Sequence, residues 1–363
     1  MAFKLPYGLS ASLHAGLQPL KVVALEGQAA RCLWPRQVGL RLPIVGGSSG
    51  HARGSVIVVH KAAATIRRIA ADRDWIQSRN GFSTAWRRLR AMLDIIAADG
   101  VPDGDWPADL SDHATTNAPV LAFSSFHPAP ILVPDRGFMS SGGYARERRR
   151  AAAAPAFTDR DPTIVWRGSP SGLGKLVNEP LAASDRTLRQ RVRLCLALRD
   201  LAAAPDAWGD AADVDAKIVL WGGAAPEVTA AYRIAGILGP AIPQRSWCHR
   251  RFAIDIDGNS NAFSNLFIRL LYGCCVIKVA SPLGFRQWYY DRLEPWVHYV
   301  PVAANLSDLA ETIAWCQGHP RDCRDIAAAG QRIVMGMTVE SERRAVVAEI
   351  DRRQAIPWVA RAA

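Results

Sequence analysis

Residues 251 to 302 read RFAIDIDGNSNAFSNLFIRLLYGCCVIKVASPLGFRQWYYDRLEPWVHYVPV, a strand, a turn, a helix and a second strand in immediate succession. Phe252, Ile254 and Ile256 alternate with Ala253 and Asp255, the period of a partly buried strand, and the run stops at Asp257-Gly258. Phe263, Leu266, Phe267, Leu270 and Leu271 then fall at i, i+3, i+4, i+7 and i+8, one apolar stripe at helical period. Asn259, Ser260 and Asn261 are each suited to cap the start of that helix, and Gly273 suits the C-terminal position that needs a positive φ. Cys274 to Val279 is the next strand. A strand, helix and strand in sequence make a right-handed parallel crossover, so the turn at Gly258 to Asn261 is expected at the carboxyl end of a sheet. Open α/β sheets bind ligands there, and a helix N-terminus offers unpaired N–H groups to a phosphate.

The chain has 363 residues, 49% of them hydrophobic, enough to bury two α/β cores. Its net charge of +11 points to an anionic partner: a nucleotide, a nucleic acid or an acidic membrane surface. Cys32, Cys195, Cys248, Cys274, Cys275, Cys316 and Cys323 are odd in number and form no C-x-x-C pair, which fits a reducing cytoplasm. Met1 to Leu25 is broken by Pro6, Gly8, His14 and Pro19 and lacks the continuous apolar core of a signal peptide. No run reaches the roughly 18 apolar residues that span a bilayer, which leaves peripheral contact with a membrane open.

Met139-Ser-Ser-Gly-Gly143, the charged run Arg146 to Arg150 and Ala151 to Pro155 mark a boundary. It predicts an N-terminal domain over 1–155, a C-terminal domain over 156–338 and a last helix over 339–363 that crosses back onto the first domain. In the first domain a strand is predicted at Ser55 to Val59, with helices at Ala62 to Ile76 and Thr84 to Ala97. Arg67, Arg68, Arg87, Arg88 and Arg90 would lie on the polar faces of those helices, as a solvated face or as a contact for phosphate lipids. The second domain alternates strand and helix: Thr163 to Trp166, Leu188 to Asp200, Lys217 to Trp221, Pro226 to Ile237, the stretch above, then helices from Ser307 and Arg324. That alternation predicts a doubly wound parallel sheet.

Several of these stretches together carry a resemblance. Trp166-Arg-Gly-Ser169, IDGNSNAFSNLF, Leu271 to Lys278, Gln287-Trp-Tyr-Tyr290, Leu293 to Val302, Asn305 to Leu309, Ile313-Ala-Trp315 and Ile326 to Gln331 resemble glycosyltransferase family 90, the capsule-associated and Rumi-type sugar transferases. The likeness covers most of Thr163 to Val334. In the first domain only Gly104-Asp-Trp-Pro107 and Ala118 to Ser124 resemble the family. The resemblance implies an α/β fold of two facing Rossmann-like domains, the GT-B type, with a UDP-sugar held mainly by the second. It implies an inverting transferase that uses no metal and no further cofactor, acting with glucose or xylose on a hydroxyl of a cell-envelope glycan or lipopolysaccharide. A protein acceptor is the alternative. The expected setting is the cytoplasm, at the inner face of the membrane.

The same resemblance assigns residues. Sugar transfer needs the charge growing on the departing diphosphate to be stabilised while the sugar passes through an oxocarbenium-like state. Arg167, Gly168 and Ser169 at the end of the Thr163 to Trp166 strand, and Arg191 with Arg189 and Arg193 beside it, are the candidates on one side. Gly258, Asn259, Ser260, Asn261 and Ala262 are the candidates on the other, although helix capping would explain the same residue types. The family carries an arginine in the early helix where this chain has Ser264 and Asn265, with Arg269 one turn on. Lys278 is the candidate to replace it. Asp105, in a short Asp-aromatic-Pro context flanked by Asp103 and Asp109, is the expected general base. Trp288, Tyr289, Tyr290, Trp296, His298 and Tyr299 suit sugar or base faces but equally suit a core.

Rival motifs fail on spacing. Asp255 to Asn259 has its glycine two places too early for an EF-hand. Gly168 to Lys175 has one residue too many for a Walker loop, and Leu176 stands where Ser or Thr is needed. Gly46 to Gly50 is a turn with no partner signature, and no Cys/His cluster has zinc spacing. A basic nucleic-acid-binding protein would explain the charge, yet no nucleic-acid module is recognisable.

Overall fold

The computed structural model describes residues 18–32, 44–46, 54–114, 116–204, 213–220 and 224–354. The predicted turn over Gly47 to Gly50, Trp221 and most of the N-terminal segment lie outside them. The chain divides into a unit of Met1–Ser140 with Val339–Ala363 and a unit of Ser141–Thr338. No helix among the described residues is long and apolar enough to cross a membrane.

The first unit contains α1 (Gln18–Cys32), β1 (Ile44–Gly46), β2 (Val56–Ala62), β3 (Thr65–Ala71), α2 (Arg73–Gln77), α3 (Arg79–Ile96), β4 (Gly104–Asp109), β5 (Leu121–Ala122), β6 (Ile131–Leu132) and α4 (Arg136–Ser140). Its six described strands lie in the order β1-β3-β2-β4-β5-β6. β2 runs antiparallel to both β3 and β4, while the other pairs are parallel. The sheet is therefore mixed, in place of the parallel sheet a Rossmann-like domain would have. The helix predicted from Ala62 to Ile76 is instead the return arm of a hairpin followed by a short helix. Ala63 and Ala64 take φ of 51° and 56° at the turn, and the Asp103 carboxylate accepts from both of their N–H groups at 2.6 and 3.0 Å. Arg67 and Arg68 accordingly lie on a strand.

The second unit opens with α5 (Ala145–Ala152), ahead of the predicted boundary at 155. Arg148 ties this helix in by donating to the carbonyls of Val334, Met335 and Met337, and the Tyr144 ring lies 5.5 Å from that of Phe267. There follow β7 (Ile164–Gly168), α6 (Gln190–Ala203), β8 (Val214–Ile218), α7 (Pro226–Ile234), β9 (Phe252–Asp255), α8 (Ser264–Leu271), β10 (Cys275–Val279), β11 (Val300–Val302), α9 (Leu309–Gly318) and α10 (Pro320–Met335). α11 (Val339–Gln354) belongs to the first unit, where Arg353 donates to the carbonyls of Pro128 and Ala129.

Among the described residues every strand pair of the second unit is parallel. β9, β10 and β11 form one sheet and β7 and β8 another. A parallel bridge between Asp161 and Arg250 sets β7 alongside β9. The spatial order is thus β8-β7-β9-β10-β11, and the direction in which successive strands are added reverses between β7 and β9. Leu266, Phe267, Leu270 and Leu271 of α8 are fully buried, each contributing roughly 1.5–3 kcal/mol. Gly273 ends that helix region with φ of 70°, as the sequence requires.

Candidate functional site

Where the order of a parallel sheet reverses, the loops leaving the two flanking strands part and open a crevice at the carboxyl ends. Here that crevice lies between the loops after β7 and β9. It is lined by Ser171, Gly172 and Leu173 after β7, by Asp257, Gly258 and Asn259 after β9, and by Pro282, Leu283 and Phe285 after β10. Arg186, Leu188, Gln190 and Arg193 close it from the segment entering α6.

Arg191 holds the two diverging loops at a fixed distance. Its Nε donates to the Asp257 carbonyl at 2.8 Å and Nη2 to the Ile256 carbonyl at 2.9 Å, while Nη1 donates to Ser171 Oγ at 2.9 Å and the Ser169 carbonyl at 3.2 Å. The guanidinium lies over the Trp166 ring, 5.7 Å from its centroid. Burial pulls its pKa down, and four hydrogen bonds compensate for the lost solvent.

The turn after β9 does not cap α8. The N-cap position is Phe263, at φ of 47°, with no side-chain hydrogen bond. The asparagines cross-link the crevice instead. Asn259 Oδ1 accepts from the Gly172 N–H at 3.0 Å, joining the β9 turn to the β7 loop, and Asn261 Nδ2 donates to the Phe285 carbonyl at 3.1 Å, joining it to the β10 loop. Gly258 is a glycine because its neighbours leave no room: a Cβ there would lie 2.5 Å from Ser171 Oγ and 3.0 Å from Arg191 Nη2. Ser260 is buried and Ala262 half-buried beneath the turn. Asp257 is 4% exposed, and burial raises its carboxyl pKa against the opposing pull of Lys278.

The remaining candidates spread out. Gly168 ends β7, where a Cβ would meet the Trp166 ring at 2.6 Å, and Ser169 Oγ lies 3.3 Å from Ser171 Oγ. Arg167 faces away from the crevice lining, bound to Asp215 at 2.5 Å and to the Pro240 carbonyl at 3.1 Å. Lys278 is buried against Asp255 at 3.2 Å and lies 4.6 Å from the Tyr290 ring centroid. Arg269 is also withdrawn: it stacks on Trp247 at 3.8 Å, and burial lowers its pKa to about 10. His298 Nδ1 accepts from the Glu294 N–H at 2.9 Å within its own turn. Trp288 and Tyr289 pack against Phe267.

Asp105 lies in the first unit, on β4. Of the three neighbouring aspartates, Asp103 is committed to the Ala63-Ala64 turn. Asp109 is 2% exposed, bound to Ser55 Oγ and the Ser111 N–H. Asp105 is exposed and, alone of the three, is paired with a titratable ring, His60, at 2.7 Å. Among the described residues no group of three or more His, Cys, Asp or Glu side chains is placed to hold a metal ion.

A strand-end crevice of this shape, built on the β9 turn and the β10 loop, coincides with a sequence match. Residues 230–341 match the model of glycosyl transferase family 90. The matched segment runs from α7 to the start of α11 and contributes the β9 and β10 walls; the β7 loop and α6 precede it. An 82-residue stretch is 35% identical to protein O-glucosyltransferase 2 of Danio rerio, covering 23% of this chain and 16% of that protein. Protein O-glucosyltransferase 3 of Homo sapiens is 35% identical over 81 residues, 22% of this chain and 15% of that protein. The uncharacterized protein 027R of Frog virus 3 is 27% identical over 216 residues, 55% of this chain and 20% of that protein. The chain spans a fifth or less of the length of these relatives. Among solved structures, HepE of Anabaena in complex with UDP-glucose is 14% identical over 96% of this chain and 84% of that one. Its TM-score of 0.38 is below the level at which two folds correspond.

The residues missed from sequence are Arg186, Gln190, Gly172, Leu173, Leu283 and Phe285, while Arg193, named beside Arg191, does line the crevice. The glycine-rich run after β7 and the Pro-Leu-Gly-Phe run after β10 were the signal for Gly172, Leu173, Leu283 and Phe285, since both follow strands of the same parallel sheet.

Proposed function

We propose that this chain is a glycosyltransferase of the GT-B type that moves a sugar, glucose or xylose, from a UDP-sugar to a hydroxyl of a cell-envelope glycan or lipopolysaccharide. The observation that carries the reading is the crevice at the β7/β9 reversal, with family 90 residues forming two of its walls. The donor belongs to that crevice. Arg186 and Arg193 answer the phosphate charge, Gly258 and Gly172 let main chain approach closely, and Leu173 and Leu283 offer apolar rims to a base or sugar face. No metal or other cofactor is assigned a role. Asp105 is the general base, and attack opposite the departing diphosphate gives inversion.

A protein acceptor is the second reading, favoured by the O-glucosyltransferase names of two relatives. Contact with the inner face of a membrane accords with the net charge of +11. The test is a thermal-shift series with UDP, UDP-glucose, UDP-xylose and GDP-mannose, because a ligand that binds only the folded chain raises its stability. A rise with one UDP-sugar, together with UDP release from it, is expected. The reading fails if no UDP compound shifts the transition and random-sequence DNA does.

A further inference from the structure

β2 and β4 are antiparallel neighbours, and their register sets His60 directly opposite Asp105. Residues directly opposite each other share a face of the sheet. The flanking positions show which face. Val59 and Trp106 are buried, and Lys61 turns inward to donate to the carbonyls of Ala98 and Val101 at 3.0 and 2.6 Å. His60 and Asp105 are on the other side, with 35% and 61% of their side chains exposed. On β3, Arg68 is opposite His60. The open face thus carries Arg68, His60 and Asp105 abreast on three adjacent strands.

A carboxylate has two oxygens, and the imidazole occupies one. His60 Nδ1 is 2.7 Å from Asp105 Oδ1, a contact in which the anionic carboxylate can only accept. Nδ1 must then carry the hydrogen. We infer that His60 is a positioning residue for sugar transfer, fixing the Asp105 carboxylate so that Oδ2 faces an acceptor hydroxyl. This rests on the reading of Asp105 as the base. In the step it serves, the acceptor oxygen bonds to the anomeric carbon while its O–H bond breaks and the proton passes to Oδ2. The anomeric carbon–oxygen bond to the diphosphate breaks at the same time, its electron pair leaving with UDP. His60 gives up no proton.

An exposed His–Asp pair contributes at most about 1 kcal/mol to stability, so its loss leaves the fold intact and turnover becomes the informative quantity. UDP release from UDP-glucose, with water as acceptor, is measured for His60→Leu, His60→Asn, Asp105→Asn and the double variant His60→Leu/Asp105→Asn. His60→Leu is expected to lower kcat about 10- to 100-fold, with KM for UDP-glucose within about twofold of the native value. His60→Asn, whose amide N–H lies near the Nδ1 position, is expected to recover most of that loss. Asp105→Asn should lower kcat by about 100-fold or more, and adding His60→Leu to it should change nothing further. Native kcat in His60→Leu, with Asp105→Asn impaired, overturns the positioning role alone. Native kcat in Asp105→Asn overturns the base reading beneath it. Nitrogen NMR of the His60 ring supplies a test independent of turnover: a hydrogen on Nδ1 is expected, and a bare Nδ1 with the hydrogen on Nε2 overturns the proposal.

Discussion

A side chain of any size at Gly258 would collide with Ser171, whose Oγ lies 2.5 Å from where a Cβ would stand. The two residues sit on loops from β9 and β7, strands that are neighbours in space but separated by β8 in sequence. Their closeness sets the width of the crevice at its base. Gly258→Ala is expected to push the loops apart and weaken UDP-sugar binding by about tenfold, a loss of about 1.4 kcal/mol. Adding Ser171→Ala removes the closest of the colliding atoms and should restore part of the affinity. Calorimetric titration of both variants checks this; equal, native affinities would mean the crevice does not hold the donor.

Arg191 serves as the buried link between the same loops. Replacing it with Leu abandons four hydrogen bonds and leaves three carbonyls to find other partners. The expected loss of stability is about 2–4 kcal/mol, read from urea denaturation. Arg191→Lys places a single ammonium where a fork is needed and is expected to restore less than half of it.

Asp257 gives a pH signature. Burial raises its carboxyl pKa, so the folded chain keeps this proton at pH values where the unfolded chain has released it. The stability from this group is therefore complete below the ordinary aspartate value and is lost as pH rises through the folded one. Asparagine does not ionise and escapes the loss. Asp257→Asn is expected to melt above the native chain at pH 7, with the gap narrowing toward pH 4. Melting curves across that range decide it, and a gap that widens on acidification contradicts the assignment.

Arg186 is an exposed cation of the crevice lining. Arg186→Ala is expected to weaken UDP binding by about fivefold to tenfold at low salt and less at 0.5 M, since an exposed charge is screened. A titration at two ionic strengths measures the difference. No salt dependence in the native chain would remove Arg186 from the donor site.

The strand, turn, helix and strand of Phe252 to Val279 could be read from sequence because alternation and helical stripe each favour one structure there. Thr65 to Ala71 could not. Ile66, Ile69 and Ala70 fit a helical stripe as well as a strand, and pairing with β2, which no local pattern encodes, decides between them. The asparagines after Gly258 illustrate the same limit. Their residue types suit a helix cap, but Gly172, 87 positions away, supplies the N–H that Asn259 accepts. Arg191 was a candidate by chemistry; that it grips carbonyls on two loops depends on strand order. Arg186 carried no signal of its own, since only the parallel crossover brings the segment entering α6 to the crevice.

Three of the four acceptors of Arg191 are main-chain carbonyls, those of Ser169, Ile256 and Asp257. A grip on carbonyl oxygens registers the path of the chain and is indifferent to the side chains along it. Leu173 and Leu283 can therefore be exchanged by mutation while the ends of the sheet stay locked together. The arrangement separates what must persist from what is free to drift, and it leaves a route by which one scaffold can acquire a taste for a different sugar without first becoming unstable.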